Sequence, residues 1–359
     1  MVQIIPLELV TSLDGPDAAL HRGVLAVNHA AIRHDGIDED FLMRPHDIIS
    51  TLTPLPSRSN AMVAAVIDGQ VVGWGETWAS LRDNLTRCGM GVTVHPDFRH
   101  QGIGTQLLAW AEQWAADLGR ATYESWMMAP MLKDGAPQVL APTGDPFPAD
   151  YPGWLFAAHH GYALEQVERG STLRLPVANL GSLHDEAAVQ SAGYRILTWF
   201  DELPEEWLDA FAPLRARVTI DAPSAGLQIE EEVWDADRLL RDWQLSKSLG
   251  NHHLVLVALH EESQELVAFT ELWWHDTNPN CVYQGYTFVR ADHRGHRLGM
   301  WLKTSALEPL GIDNPVADHI QTDNAGENSY MLSINYAMGY RPSYQSAMLQ
   351  KHAGNLDRA

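Results

Sequence analysis

The chain is poor in cysteine, poor in basic residues and free of any long apolar run, and each shortage closes off a class of protein. Its two cysteines, Cys88 and Cys281, stand at no metal-ligand or redox spacing. That argues against a disulfide scaffold or a zinc cluster and leaves buried free thiols as the expected state. His159-His160 and His252-His253 likewise have no partners at ligand spacing, so no metal is expected. No stretch reaches the length of roughly 18 apolar residues that a membrane helix needs. The start, MVQIIPLELVTSLDG, lacks a basic segment followed by an apolar one, so a soluble, cytoplasmic protein with no membrane partner is expected. Against 46 Asp and Glu there are 24 Lys and Arg, a formal charge of −22. Such a balance opposes nucleic-acid binding at long range and suits attraction of a cationic amine, although a plain solubility role accounts for it equally well. A G-x-S-x-G elbow and a G-x-x-x-x-G-K-[ST] phosphate loop are both absent, which removes the main hydrolase and nucleotidase classes.

What is present is a strand–loop–helix unit that occurs twice. One copy, GVTVHPDFRHQGIGTQLLAWAEQW, starts at Gly91, and the other, YTFVRADHRGHRLGMWLKTSALEPL, at Tyr286. Val94 falls on Val289, Arg99 on Arg294, Gly104 on Gly299, Glu76 on Glu271 and Trp78 on Trp273, every pair 195 positions apart. A fixed offset over separated segments marks duplication, and this period is that of a whole domain. The 359 residues, 45% hydrophobic with thirteen Trp, are long for one core and natural for two.

In the first copy a β-rich run ends at His95-Pro96, and Ile103, Leu107, Leu108, Ala111 and Ala115 then recur at helical spacing. Gly102 and Gly104 allow close backbone approach. The first amides of a helix have no partner within it and sit at its positive end, so they can receive a phosphate, with Arg99 and Gln101 as supplementary donors. Arg99-His100-Gln101-Gly102-Ile103-Gly104 resembles the acetyl-CoA-binding motif of the GNAT superfamily of N-acetyltransferases, Gln/Arg-x-x-Gly-x-Gly/Ala. The second copy, Arg294 to Gly299, departs from it with Arg297 at the first glycine position, admissible where its φ stays negative. The resemblance covers nearly the whole chain; among tandem members it is to the actinobacterial type that includes mycothiol synthase, in architecture and not in substrate.

That resemblance implies acetyl-CoA as cofactor and an α/β (α+β) fold of two tandem domains, each a mixed, mostly antiparallel twisted sheet flanked by helices. The implied cofactor contacts are Val92, Val94, Arg99, Gln101, Gly102, Ile103, Gly104 and Thr105 in the first domain. In the second they are Thr287, Val289, Arg294, Gly295, His296, Arg297, Leu298, Gly299, Met300 and Asn328. The family's general-acid Tyr stands four residues before a Gly-aromatic pair, where this chain has Ala157 and Asn335.

The expected domains are 1–178 and 193–359 with 179–192 as linker. A hairpin turns at Asp68-Gly69, Lys133 to Pro152 reads as a loop, Ala163 to Leu175 as a strand pair, Glu230 to Glu232 as part of a strand, and Tyr344 to Gln350 as the last strand of the second domain. Glu76 and Glu271, on equivalent strands, are candidate acceptors of the ammonium proton; solvent-facing sheet glutamates fit the same pattern. Asn335 completes the catalytic candidates. Asp221 and Glu230 are candidates for binding the amine, or part of a solvated acidic face. Asn324 reads as a turn residue, and His319 as a possible base or a satisfied core histidine. The expected reaction is acetylation of a small-molecule primary amine by direct attack on the thioester, with chemistry in the second domain. A non-catalytic acyl-CoA-binding protein is the alternative.

Overall fold

The computed structural model describes residues 1–221, 225–227 and 229–354. The chain divides into two compact units, one holding Met1–Glu168, Ala225–Gln228 and Tyr344–Ala359, the other Arg169–Ser224 and Ile229–Ser343.

The first unit runs β1 (Gln3–Pro6), α1 (Ala19–Asp35), α2 (Pro45–Leu52), β2 (Arg58–Ile67), β3 (Gln70–Ser80), β4 (Arg87–Val94), α3 (Ile103–Asp117), β5 (Thr122–Pro130), β6 (Gln138–Leu140), β7 (Pro146–Pro148), α4 (Pro152–His159) and the start of β8 (Ala163–Arg174). Strands β1 to β5 pair in sequence order, antiparallel except for the parallel β4–β5 seam. Asp68 and Gly69 turn the β2–β3 hairpin with φ of 49° and 82°, the left-handed pair that a two-residue turn between right-twisted strands demands. Side chains alternate along β2. Met62 and Ala64 pack under Val24, Val27 and Ile48 of the first two helices, whereas Val63 and Ala65 pack with Ile103 and Leu107 of α3 on the opposite face. All five apolar residues that the spacing picked on α3 are buried.

The second unit continues with α5 (Leu180–Gln190), β9 (Tyr194–Phe200), α6 (Leu208–Ala216), α7 (Val218–Asp221), α8 (Ala236–Ser248), β10 (Asn251–His260), β11 (Glu265–His275), β12 (Cys281–Val289), α9 (Leu298–Ser305), α10 (Leu307–Asp313), β13 (His319–Ala325) and α11 (Ser329–Met338). Its strands pair in the order β13-β12-β11-β10-β9, again with one parallel seam, β12–β13. The last strand, β14 (Arg341–His352), leaves this unit. From Tyr344 it belongs to the first, antiparallel to β5 from Tyr344↔Pro130 to His352↔Thr122.

Several expectations are thereby corrected. Residues 179–192 contain helix α5, whose Leu183 and Ala187 join the core of the second unit. Tyr344 to Gln350 is a strand, but alternation says nothing about its partner, which lies in the first unit. Lys133 to Pro152 carries the small β6–β7 hairpin, pinned by the fully buried Phe147. Ala163 to Leu175 is one long strand in place of a pair, and Glu230 to Glu232 has no regular structure. Cys88 and Cys281 are buried free thiols, as expected, and burial pushes Cys88 up to about 12. No helix among the described residues is long and apolar enough to cross a membrane.

Candidate active site

Each parallel seam opens. Strands β4 and β5 pair only from Arg87↔Thr122 to Gly89↔Glu124, although β4 runs on to Val94 and β5 to Pro130. Strands β12 and β13 pair only from Cys281↔His319 to Tyr283↔Gln321. Past those points neither ladder continues, so backbone groups on that side of β4 and β12 are left for something other than the partner strand. The closed end of the first seam is braced by Arg87, which grips Glu124 at 2.7 and 2.5 Å.

A helix starts beyond each open end. The amides of Gly102, Ile103, Gly104 and Thr105 have no acceptor among the described residues, and neither do those of Leu298, Gly299 and Met300. Unpaired amides at the positive end of a helix fit a pyrophosphate. Gly102 holds the left-handed conformation, φ 76°, which costs glycine nothing. Arg297 corrects the expectation that its φ stays negative: it keeps the left-handed backbone, φ 55° and ψ 20°, at a strain on the order of 1 kcal/mol.

The other motif side chains serve the loop more than a ligand. Arg99 is paired with Asp35 at 2.7 and 2.8 Å and donates to the Val94 carbonyl. Arg294 donates likewise to the Val289 carbonyl and lies 3.7 Å from Asp221, while Arg297 reaches Glu186 at 3.4 Å. Gln101 is exposed, Gly295 has φ 89°, and the His296 carbonyl accepts from Ser191. Thr105 meets His160 at 3.2 Å. Thr287 bonds Thr270 at 2.8 Å, and Val92, Val94 and Val289 pack partly buried against the cores. A Cβ on Gly104 would lie 3.1 Å from the Phe156 ring, and one on Gly299 3.4 Å from Ile334. These glycines therefore let α4 and α11 close onto the loop helices.

Glu76 stands on β3 opposite Gly91 of β4, where a Cβ would come within 3.3 Å of its Oε1. Part of its area is open, yet its carboxyl is enclosed by protein, and burial, with the Asp47 carboxylate adding, pushes it up to about 7. It has no hydrogen-bond partner among the described residues. Glu271 differs. Register jumps from Thr270↔Thr287 to Leu272↔Gln284, so Glu271 faces both Gly285 and Tyr286 across a bulge. A Cβ on Gly285 would lie 2.7 Å from the Glu271 Cγ, hence the glycine. Burial opposes the charge of Arg215, but Glu271, Tyr286 and Glu232 outweigh it and keep the guanidinium charged. Its Cζ lies 4.4 Å from the Tyr286 ring centre and 5.2 Å from that of Trp234. Sequence reasoning missed Arg215, Tyr286 and Trp234, which come from separate segments.

It also missed Lys303. This lysine of α9 is 2% exposed, and its Nζ donates to Asn335 Oδ1 at 2.6 Å. Asn335 Nδ2 donates in turn to Asn324 Oδ1 at 2.5 Å. The ammonium lies 5.1 Å from the ring centre of Tyr340, whose buried hydroxyl has no partner. No carboxylate pairs with Lys303 among the described residues, and burial pushes it down to about 7. The 195-residue offset places Leu108 at the same point of the first unit, a signal the sequence did contain. There Tyr162 bonds Glu112 at 3.2 Å, and the nearby lysine, Lys351, is paired with Glu112 at 2.7 Å.

Of the remaining candidates, Asn328 caps α11 through a bond from the Met331 amide. Asp221 is paired with Arg217 at 2.9 Å as well as lying near Arg294. Glu230 is exposed. His319 is buried, bonded to Asp318, and sits at the closed end of its seam.

A mixed sheet with a parallel seam that opens onto a helix amino end is thus present in each of the two units. Residues 34–127 match the Acetyltransferase (GNAT) family. Over 99% of its length it is similar to all of a tandem GNAT protein from the clavulanic acid biosynthesis pathway, at 22% identity and a TM-score of 0.73. A GCN5-related N-acetyltransferase from Sphaerobacter thermophilus is similar over 97% of this chain and 95% of its own, at 15% identity and a TM-score of 0.64. A comparison with curated protein sequences finds no match.

Proposed function

We propose that the chain acetylates the primary amine of a small molecule with acetyl-CoA, by direct attack of the neutral amine and without an acyl-enzyme, in the cytoplasm. The observation that carries this reading is the duplicated junction of an open parallel seam with unpaired helix amides, which fits an extended cofactor ending in a pyrophosphate. Acetyl-CoA supplies an acyl carbon activated as a thioester, on which the amine forms the new amide as the CoA thiol departs. The amides of Gly102–Thr105 and of Leu298–Met300 would hold pyrophosphate, and the free edges of β4 and β12 would line the seams. Chemistry belongs to the second unit on this reading. Glu271 would receive the ammonium proton, and Asn335, whose amide is bonded to Lys303 and Asn324, would act on developing charge through Asn324. Asp221 and Glu230 would supply the acidic groups for a cationic amine, while Glu271, Glu232, Trp234 and Tyr286 are gathered around Arg215.

One observation favours the first unit instead. The Glu76 carboxyl, near 7 and without a hydrogen-bond partner among the described residues, is poised as a base at neutral pH.

CoA-thiol release with a panel of primary amines tests both readings. Glu271→Gln and Asn335→Ala are each expected to lower turnover about ten-fold or more, the scale of losing one positioned polar group, and Glu76→Gln to do less. Loss of turnover with Glu76→Gln alone moves the reaction to the first unit. A chain that binds acetyl-CoA in calorimetry, loses part of that binding in Gly104→Val, and transfers to no amine is a binding protein.

A further inference from the structure

We propose that Lys303 is a positioning residue of the second unit: it fixes the orientation of two successive side-chain amides and leaves the Asn324 NH2 as the free donor of the chain, on the open part of the β12–β13 seam. The proposal rests on acyl transfer taking place in that unit.

The argument follows from which atoms can donate. Below about pH 7, where Lys303 holds its proton, an ammonium has three donors and no acceptor, so the atom of Asn335 that meets Nζ at 2.6 Å is its carbonyl oxygen. Asn335 is 1% exposed, and its NH2 donates to Asn324 at 2.5 Å. The Asn324 atom facing it is consequently an oxygen, and the Asn324 NH2 must turn away from the chain. That NH2 has no acceptor among the described residues. Asn324 lies beyond Gln321, the last residue of β13 to pair with β12, and it is only partly buried. A donor fixed there, with a cation at the other end of the chain while Lys303 is protonated, is polarised toward whatever accumulates negative charge in the seam. The carbonyl oxygen or sulfur of a thioester is such a group.

Packing alone gives no reason for this lysine. In the first unit the equivalent positions are Leu108 and Ala157, both buried and apolar, within a closed core. A buried cation without a carboxylate weakens a fold, and an apolar side chain of similar length generally restores the loss. Its position in the chain of amides is what it adds.

The test compares wild type with Lys303→Met, a substitution of similar length without a donor, in the full chain. In ligand-free protein, the side-chain amide NMR signals of Asn324 and Asn335 should shift, and their exchange with water should accelerate about ten-fold or more as the bonded chain loosens. With an amine that the wild type acetylates, kcat should fall about ten-fold while KM for acetyl-CoA stays within about two-fold, the pattern of an interaction used in the transition state. Unchanged amide signals, or an unchanged kcat, would overturn the proposal. Should Lys303→Met fail to fold, Asn335→Leu cuts the same chain without touching the lysine; Asn324 signals and kcat identical to wild type would be equally fatal. Altered amide signals in Lys303→Met, with a wild type that acetylates no amine, would defeat the functional reading while supporting the orientation chain, so the two failures are distinct.

Discussion

The two units share a scaffold and differ in which ionisable group they leave uncompensated. In the first, Glu76 beside the seam has neither cation nor hydrogen bond, and the helix positions that flank it are apolar: Leu108, Ala157 and the Phe156 ring over Gly104. In the second, the equivalent Glu271 is matched by Arg215, and the uncompensated group is a lysine buried on the helix side. Both groups stand near 7, one raised and one lowered, and both do so because of burial. Duplication has preserved the seam, the turn and the helix start, whereas the charge beside each seam has been set separately.

The largest effect that could break this comparison lies in Lys303. Its folded value is below the 10.5 of the free side chain, so between about 7 and 10.5 the unfolded chain holds a proton that the folded chain does not, and stability rises with pH across that window. Lys303→Met should thus be the more stable protein below pH 7, with its advantage shrinking by about 1.4 kcal/mol for each pH unit above that. Urea unfolding at a series of pH values measures this directly, and a difference that is flat with pH would remove the buried charge from the account.

Glu76 predicts the opposite slope over a narrower window. Its folded value is raised from 4.5 to about 7, so the folded chain holds the extra proton between those values and stability falls as pH rises through them. Glu76→Gln should match wild type below pH 4.5 and exceed it above pH 7 by about 1–3 kcal/mol. The same unfolding series checks it, and the prediction fails if the two curves stay parallel.

The smallest effect sharpens the comparison at the turn. Arg297→Gly and Arg297→Ala both lose the exposed contact with Glu186, but only the alanine keeps a strained left-handed backbone. The glycine variant should be the more stable by about 1 kcal/mol, and Gly102→Ala in the first unit should cost a similar amount. Thermal melts of the three variants decide it.

Local pattern made much of this legible. The spacing of Ile103, Leu107, Leu108, Ala111 and Ala115 identified a buried helix face, and Asp68-Gly69 identified a hairpin, because both are set by neighbours in sequence. The partner of β14 was not legible, since alternation specifies a strand and a face but no neighbour. Arg215 reaches Tyr286 and Trp234 only in three dimensions. Asn324, read as a turn residue, joins the buried amide chain, and Asn328 caps a helix. Lys303 escaped notice because a lysine in a helix is ordinarily taken for surface, although setting the copies side by side would have placed it opposite a buried leucine.

Strand β14 has a consequence for how the protein comes into being. Strand β5 receives its antiparallel neighbour from Tyr344 to His352, residues that leave the ribosome long after β5 itself. Synthesis normally lets an amino-terminal domain fold while the rest is still being made, but here the first unit must wait with an unpaired edge until the last strand emerges. A nascent chain arrested or cut before Tyr344 would carry that edge permanently, a template for pairing with other chains. Emergence of β14 is thus itself a folding step of the first unit, a tie between stretches far apart in sequence.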